Sequence, residues 1–281
     1  MRTLLSILLI VGIISFTQAQ IETPQPSPNA MIEQVVGLTT ITVEYSRPSM
    51  RDRTIFGDLV PYDKLWRTGA NENTIIEFSN NVTILGNEIE EGRYAIFTKP
   101  MESQWEVYFY TKTDNWGTPQ EWEEDKIAAQ ISVDVQKIER TQESFRISFD
   151  NLSANKGHLE MVWEDTMVEI PIEVPTDKAV MTSIDQAMQG TTANEYYAAA
   201  SYFYSQDKDI NQAKEWVDMA MEKMDDAPFW MLRQQSLIYA KAGDKKGAVK
   251  VAKESLKKAK AAGNDAYVKM NKESLKEWGA M

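Results

Sequence analysis

The chain has no cysteine and one histidine, His158. Without thiols there is no disulfide, no lipid-anchored amino-terminal cysteine, no thiol nucleophile and no thiolate metal site. A lone histidine excludes a multi-histidine zinc or iron centre within one chain. Glycine-rich phosphate loops, paired metal-ligand motifs and nucleotide fingerprints are also missing. No apolar run reaches the roughly 20 residues of a membrane span. Stability must therefore come from packing.

The first residues give an address. Arg2 precedes an apolar run of 13 residues, Leu4 to Phe16, followed by Thr17-Gln18-Ala19. A basic start, a short apolar core and a small residue form the pattern of a secretory signal peptide, residues 1–19, cut after Ala19. The expectation is an exported protein, periplasmic or extracellular, with no transmembrane segment in the mature chain. Gln20 to Asn29, with three prolines, reads as a tether.

Charge is divided unevenly. Gln20 to Lys178 holds 14 basic against 28 acidic residues, a balance of −14, whereas Ala179 to Met281 holds 15 against 14. The acidic first part argues against a nucleic-acid partner, which requires a basic face. Lys241 to Lys276 carries 11 lysines and 4 acids. This reads as a solvated helix face, with an anionic partner or membrane surface as the alternative.

Up to residue 175 the apolar pattern has period two. Ile41, Val43 and Tyr45 alternate with polar neighbours, as do Trp105, Val107 and Phe109, then Ile131, Val133 and Val135. Phe145, Ile147 and Phe149 do the same, and so do Val168, Ile170, Ile172 and Val174. Pro171 within the last run predicts an edge strand. Turn signals fall at Leu85-Gly86-Asn87, Glu91-Gly92, Lys99-Pro100 and Glu164-Asp165-Thr166, so Trp163 to Val174 reads as the last hairpin. Eight or nine short strands predict an all-β antiparallel sandwich or barrel over residues 30–175.

A polar boundary at Pro175-Thr176-Asp177-Lys178 separates this part from an all-α region, residues 179–281. Its sequence repeats at an offset of 35: Ser201, Tyr204, Asp209, Ala213, Ala220 and Lys223 recur as Ser236, Tyr239, Asp244, Ala248, Ser255 and Lys258. An aromatic, a polar turn and small residues at the helix crossing resemble the tetratricopeptide helical hairpin, without that repeat's consensus tryptophan and glycine. Two units are too few to stand alone. Flanking helices at Val180 to Met188 and Ala266 to Trp278 are expected to close the stack. The aromatic and methionine residues here (Tyr202, Tyr204, Trp216, Met219, Met221, Met224, Trp230, Met231) read as core, and those left exposed would line a peptide groove.

The densest unusual stretch is Tyr45 to Glu72. It carries five of the first part's 14 basic residues beside several aromatic rings, in a connection of nearly 30 residues. Ordered connections of that length are functional or contain further structure. Arginine forks grip carboxylate or phosphate, and aromatic faces suit sugars or cations. The candidate ligand-binding residues are Tyr45, Arg47, Arg53, Trp66, Arg67 and Asn71. The competing structural reading pairs Arg47, Arg53 and Arg67 with Asp52, Asp58, Asp63 or Glu72.

The same stretch is similar to a known family. Tyr45-Ser46-Arg47-Pro48, Arg53 with Ile55-Phe56-Gly57, Val60-Pro61-Tyr62 and Trp66-Arg67-Thr68-Gly69-Ala70-Asn71-Glu72 resemble the exported bacterial family catalogued as domain of unknown function 2911. Gly92-Arg93-Tyr94-Ala95-Ile96-Phe97-Thr98 and Trp163-Glu164-Asp165-Thr166-Met167-Val168 fit the same pattern. The resemblance spans roughly Ser27 to Val174; Asp52 and Asp63 stand where many relatives have glycine. It implies export and architecture, and brings no activity or catalytic residue.

Catalytic readings are weak. A serine triad must use His158, which follows Gly157 and reads as a surface residue. Glu72 and Asp58 are the nominees for a carboxylate pair. Glu121-Trp122-Glu123-Glu124-Asp125 lacks the spacing of a calcium loop. The sequons at Asn81 and Asn151 mean little if the source is bacterial. The reading is an exported, non-enzymatic envelope protein with no cofactor, metal or catalytic residue. It binds an anionic or glycan small ligand through the Tyr45 to Glu72 loop and a protein through the repeats. The alternative is an extracytoplasmic glycan or peptidoglycan hydrolase using loop carboxylates.

Overall fold

A computed structural model describes residues 23–187 and 192–281. The proposed signal peptide, the start of the tether and Met188 lie outside the described residues. Two compact units divide at Pro175 and Thr176.

The first unit is a single antiparallel sheet of nine strands: β1 (Asn29–Val36), β2 (Thr39–Ser46), β3 (Thr74–Phe78), β4 (Val82–Ile84), β5 (Asn87–Ile89), β6 (Gly92–Pro100), β7 (Gln104–Tyr110), β8 (Ile127–Asp150) and β9 (Lys156–Glu173). Their order is β1-β2-β3-β6-β7-β8-β9-β4-β5. The alternating residues read from sequence do face one core: Ile41, Val43 and Tyr45 of β2 meet Trp105, Val107 and Phe109 of β7, with Val168, Ile170 and Ile172 of β9. β6 is buried on both faces. Tyr94 and Ile96 join the main core, whereas Ala95 and Phe97 form an outer cluster with Tyr108 and Tyr110. Trp122 covers that cluster, stacked 4.6 Å from Tyr110, so the acidic run around it is anchored by its aromatic residue.

Two strands are longer than their sequence patterns predict. β8 has 24 residues and joins the expected strands at Ile131 and Phe145 through an irregular polar stretch with register shifts between Lys137, Gln142 and Arg146. β9 passes through Glu164-Asp165-Thr166 without turning back. Glu164 takes φ +57° there, a local kink that re-aims the strand. The last hairpin is thus β8–β9, not Trp163 to Val174. Pro171 does not mark an edge strand either, since β9 lies between β8 and β4. It is tolerated because pairing with β8 extends to Val168 and pairing with β4 starts at Ile172.

The sheet rolls over its core. Beyond β2, Phe145 N–H donates to Pro48 O (2.9 Å) and Met50 N–H to Glu143 O (2.8 Å), bringing the start of the long connection against the far half of β8. Tyr45 secures the same closure: its hydroxyl accepts from Ile147 N (3.0 Å) and donates to Ile147 O (3.2 Å).

The second unit has six helices: α1 (Thr176–Ala187), α2 (Ala193–Ser205), α3 (Ile210–Glu222), α4 (Phe229–Lys241), α5 (Lys245–Ala261) and α6 (Asp265–Glu277). The supposed boundary residues Thr176 to Lys178 are the first turn of α1, where Asp177 suits the positive helix end. The repeat sets equivalent positions to equivalent work. Asp209 caps α3 and Asp244 caps α5 through their carboxylates. Ala213 and Ala248 are both fully buried, as are Ala220 and Ser255. Lys214 Nζ lies 4.8 Å from the Tyr239 ring centre and Lys241 Nζ 5.0 Å from that of Tyr204. Ser255 Oγ donates to Phe229 O (2.7 Å) and accepts from the buried Asn271 Nδ2 (2.9 Å), linking α4, α5 and α6.

Candidate functional site

The Tyr45 to Glu72 connection folds inward between its ends. Ile55, Phe56 and Val60 are buried in the main core. Trp66 adds itself to the free side of β6: its N–H donates to Thr98 O (2.7 Å) and Thr98 N–H returns to Trp66 O (2.9 Å). The Trp66 indole then stacks on Trp163 of β9 and meets Phe145 edge-on at 5.3 Å. Its Nε1–H donates to Gly69 O (3.1 Å). Gly69 has φ +151°, and a Cβ there would lie 3.1 Å from Ser46 O and from Thr74 Oγ1. Only glycine fits without a shift. Asp52 and Asp63, at φ +59° and +58°, hold the left-handed conformation that glycine adopts freely.

Above this aromatic floor lies a pocket of about 330 Å³. Trp66, Trp163, Val60 and Leu59 supply its apolar lining, and Arg51, Arg53 and Arg67 its charge; no carboxylate lines it. Arg53 is held by Met50 O and Ser49 O (both 2.8 Å), and Arg51 by Pro26 O (2.8 Å). Among the described residues none of the three forms an ion pair with Asp52, Asp58, Asp63 or Glu72. Backbone carbonyls orient the Arg51 and Arg53 guanidinium groups without pairing their charge. The Nε of Arg67 is buried without a hydrogen-bond partner, and burial pulls its pKa below the ordinary arginine value. Two carboxylates from outside tie the loop: Glu143 Oε1 accepts from Arg51 N–H (3.0 Å), and Glu164 faces the N–H groups of Ile55 and Phe56 at 3.4 Å each.

Of the six residues singled out from sequence, Arg53, Trp66 and Arg67 line this pocket. The other three lie elsewhere and do structural work. Tyr45 closes the sheet. Arg47 donates through Nε to Phe145 O (3.0 Å). Asn71 donates to Ser27 O (3.0 Å) and Ser46 Oγ (3.2 Å), holding the proline-rich segment against the sheet. Sequence reasoning missed Trp163 and Arg51 as lining residues. Arg51 was within the stretch examined, but Trp163 is nearly a hundred positions away and only strand pairing brings it in.

The carboxylates nominated for catalysis are not assembled here. Asp58 lines neither of the two main pockets, and Glu72 lines the other one. His158 sits near the start of β9 beside Asn151 (3.3 Å). No group of three or more acidic or histidine side chains among the described residues is placed to hold a metal ion, and no helix among them is long and apolar enough to cross a membrane.

The model of the family described as a protein of unknown function (DUF2911) matches residues 27–172. The chain belongs to this family. No curated protein and no solved structure matches the chain. The DUF2911 region thus begins at the proline-rich segment pinned by Asn71 and ends with β9, taking in every residue of the arginine pocket and none of the helices.

Proposed function

We propose that this DUF2911 protein is an exported, non-enzymatic binder that takes a small anionic ligand in the arginine pocket. One observation carries the reading: three arginines line one pocket beside the Trp66 indole, without a carboxylate in the lining. Such a site favours a carboxylate or phosphate attached to a flat or apolar body, because guanidinium groups bind oxyanions bidentately while the floor excludes water. Export is supported by the pattern of residues 1–19. The hydrolase alternative needs two carboxylates about 5–10 Å apart across one pocket; this pocket offers none, so that alternative would have to use the other cleft, lined by Glu44, Glu72 and Asp114.

Protein capture by the helical unit is a second reading. Trp230 and Met219 are exposed there, and Arg233 is half-buried with its guanidinium donating to Ser274 Oγ (2.9 Å) rather than to a carboxylate.

Calorimetric titration with inorganic phosphate and with benzoate tests the pocket. Binding is expected to weaken about tenfold or more in Arg67→Ala, with the fold retained, and to fall as salt screens the charges. Equal binding by wild type and Arg67→Ala, or no binding of either anion, defeats the reading.

A further inference from the structure

We propose that the DUF2911 unit has a second binding site, a cleft for a neutral glycan built around Trp116, independent of the arginine pocket. The cleft has a volume of about 740 Å³ and shares no lining residue with that pocket. Trp116 on its rim is 71 % exposed, the most exposed large apolar side chain of the described residues. The indoles of Trp66, Trp105, Trp122 and Trp163 all pack against other rings; that of Trp116 enters no ring contact among the described residues. An indole face left in water costs free energy unless something covers it.

The surroundings select what that is. Glu44, Glu72 and Asp114 face the cleft, and its one cation, Arg93, is already shared between Glu44 (3.8 Å) and Glu77 (3.7 Å). Net negative charge repels the anions that the arginine pocket attracts. Carboxylates are strong acceptors for hydroxyl donors, and amides of Asn73 and Asn115 add to the polar wall. A sugar ring presents an apolar C–H face to stack on the indole and a rim of hydroxyls to meet the acceptors. A quaternary ammonium would need a cage of several rings, and here there is one exposed ring.

The loop that carries Trp116 is set in place. Asn73 Nδ2 donates to Asn115 O (2.8 Å), Asn115 Nδ2 donates to Gly117 O (2.6 Å), and Gly117 takes φ +72°. The residues on both sides of the tryptophan are thus fixed before any ligand arrives, which lowers the entropy cost of binding.

The test is titration of the full chain with cellotetraose, maltotetraose, chitotetraose and glucuronate, read by calorimetry and indole fluorescence. At least one neutral tetrasaccharide should bind, with affinity reduced tenfold or more in Trp116→Ala and several-fold in Glu72→Gln, and unchanged in Arg53→Ala; Arg53 belongs to the arginine pocket, where Ser49 O and Met50 O hold its guanidinium. Because Trp116 is exposed, its alanine variant should keep the wild-type circular dichroism; Glu72→Gln gives a second readout if it does not. Binding of none of the tetrasaccharides, or undiminished binding in both variants, overturns the proposal. Binding of glucuronate alone, lost in Arg53→Ala, also overturns it and assigns the sugar to the arginine pocket.

Discussion

The indoles of Trp66 and Trp163 stack with ring centres 5.9 Å apart and planes 19° from parallel. One comes from the long connection and the other from β9, so this pair is where the connection is fastened to the sheet. It is also the floor of the arginine pocket. Phe56, Trp105 and Phe145 surround it at 5.3 to 6.3 Å, and edge-to-face contacts of this kind add to the area buried.

Removing Trp66 should therefore unfold more than a loop. Trp66→Ala is expected to lower stability by about 3–5 kcal/mol, measured by urea denaturation of the DUF2911 unit. A loss under about 1 kcal/mol would mean that the connection is held by its backbone bonds alone.

Tyr45 and Arg67 separate structure from binding. Tyr45→Phe strands the buried N–H and carbonyl of Ile147, and should cost about 1–3 kcal/mol while leaving phosphate or benzoate affinity unchanged. Arg67→Ala should do the reverse. Paired denaturation and calorimetry on both variants check the contrast, and a loss of binding in Tyr45→Phe would undo it.

The helical unit should weaken in acid. Asp244 is held below the usual carboxylate range by the Gly247 N–H and by Lys214, and Asp177 by Lys208 and Tyr202. A lowered folded-state value means that the stabilising contribution is complete above about pH 4 and is lost as pH falls through the depressed values. Tyr202, hydrogen-bonded to Asp177, is pushed up to about 12 by burial and by that carboxylate, so its proton stays in place throughout. Melting curves from neutral pH to about pH 2 should show the decline. Asp244→Asn should narrow its stability gap to wild type as pH drops; a gap constant with pH would exclude the ion pair.

The small residues at the helix crossings can be tested as a pair. Ala213→Leu and Ala248→Leu should each destabilise by about 1–3 kcal/mol through overpacking, and by similar amounts because they are equivalent in the repeat. Ala261→Leu, at an exposed position of α5, should be close to neutral. Unequal costs at 213 and 248 would show that the two hairpins pack differently.

Much of the architecture is written in local pattern. Period two along Trp105-Val107-Phe109 and small residues recurring at an offset of 35 state the two halves directly. The continuity of β8 and β9 is not written locally. A polar stretch such as Lys137 to Gln142 reads the same in a turn and in an irregular exposed strand, and Glu164-Asp165-Thr166 has turn composition although the chain there only kinks. The site was half legible. Arginines beside aromatics mark Arg53, Trp66 and Arg67, but nothing near Tyr45 or Asn71 in sequence reveals that their polar atoms are spent on Ile147, Ser27 and Ser46. Those assignments need pairing between segments 25 to over 100 residues apart.

Ser255 stands where the first hairpin has Ala220, and its hydroxyl joins Phe229 O of α4 to Asn271 of α6. Asn271 of α6 answers it, so the second crossing holds a buried polar lock where the first holds a methyl group. The two crossings are therefore not interchangeable, and the stack has a built-in direction.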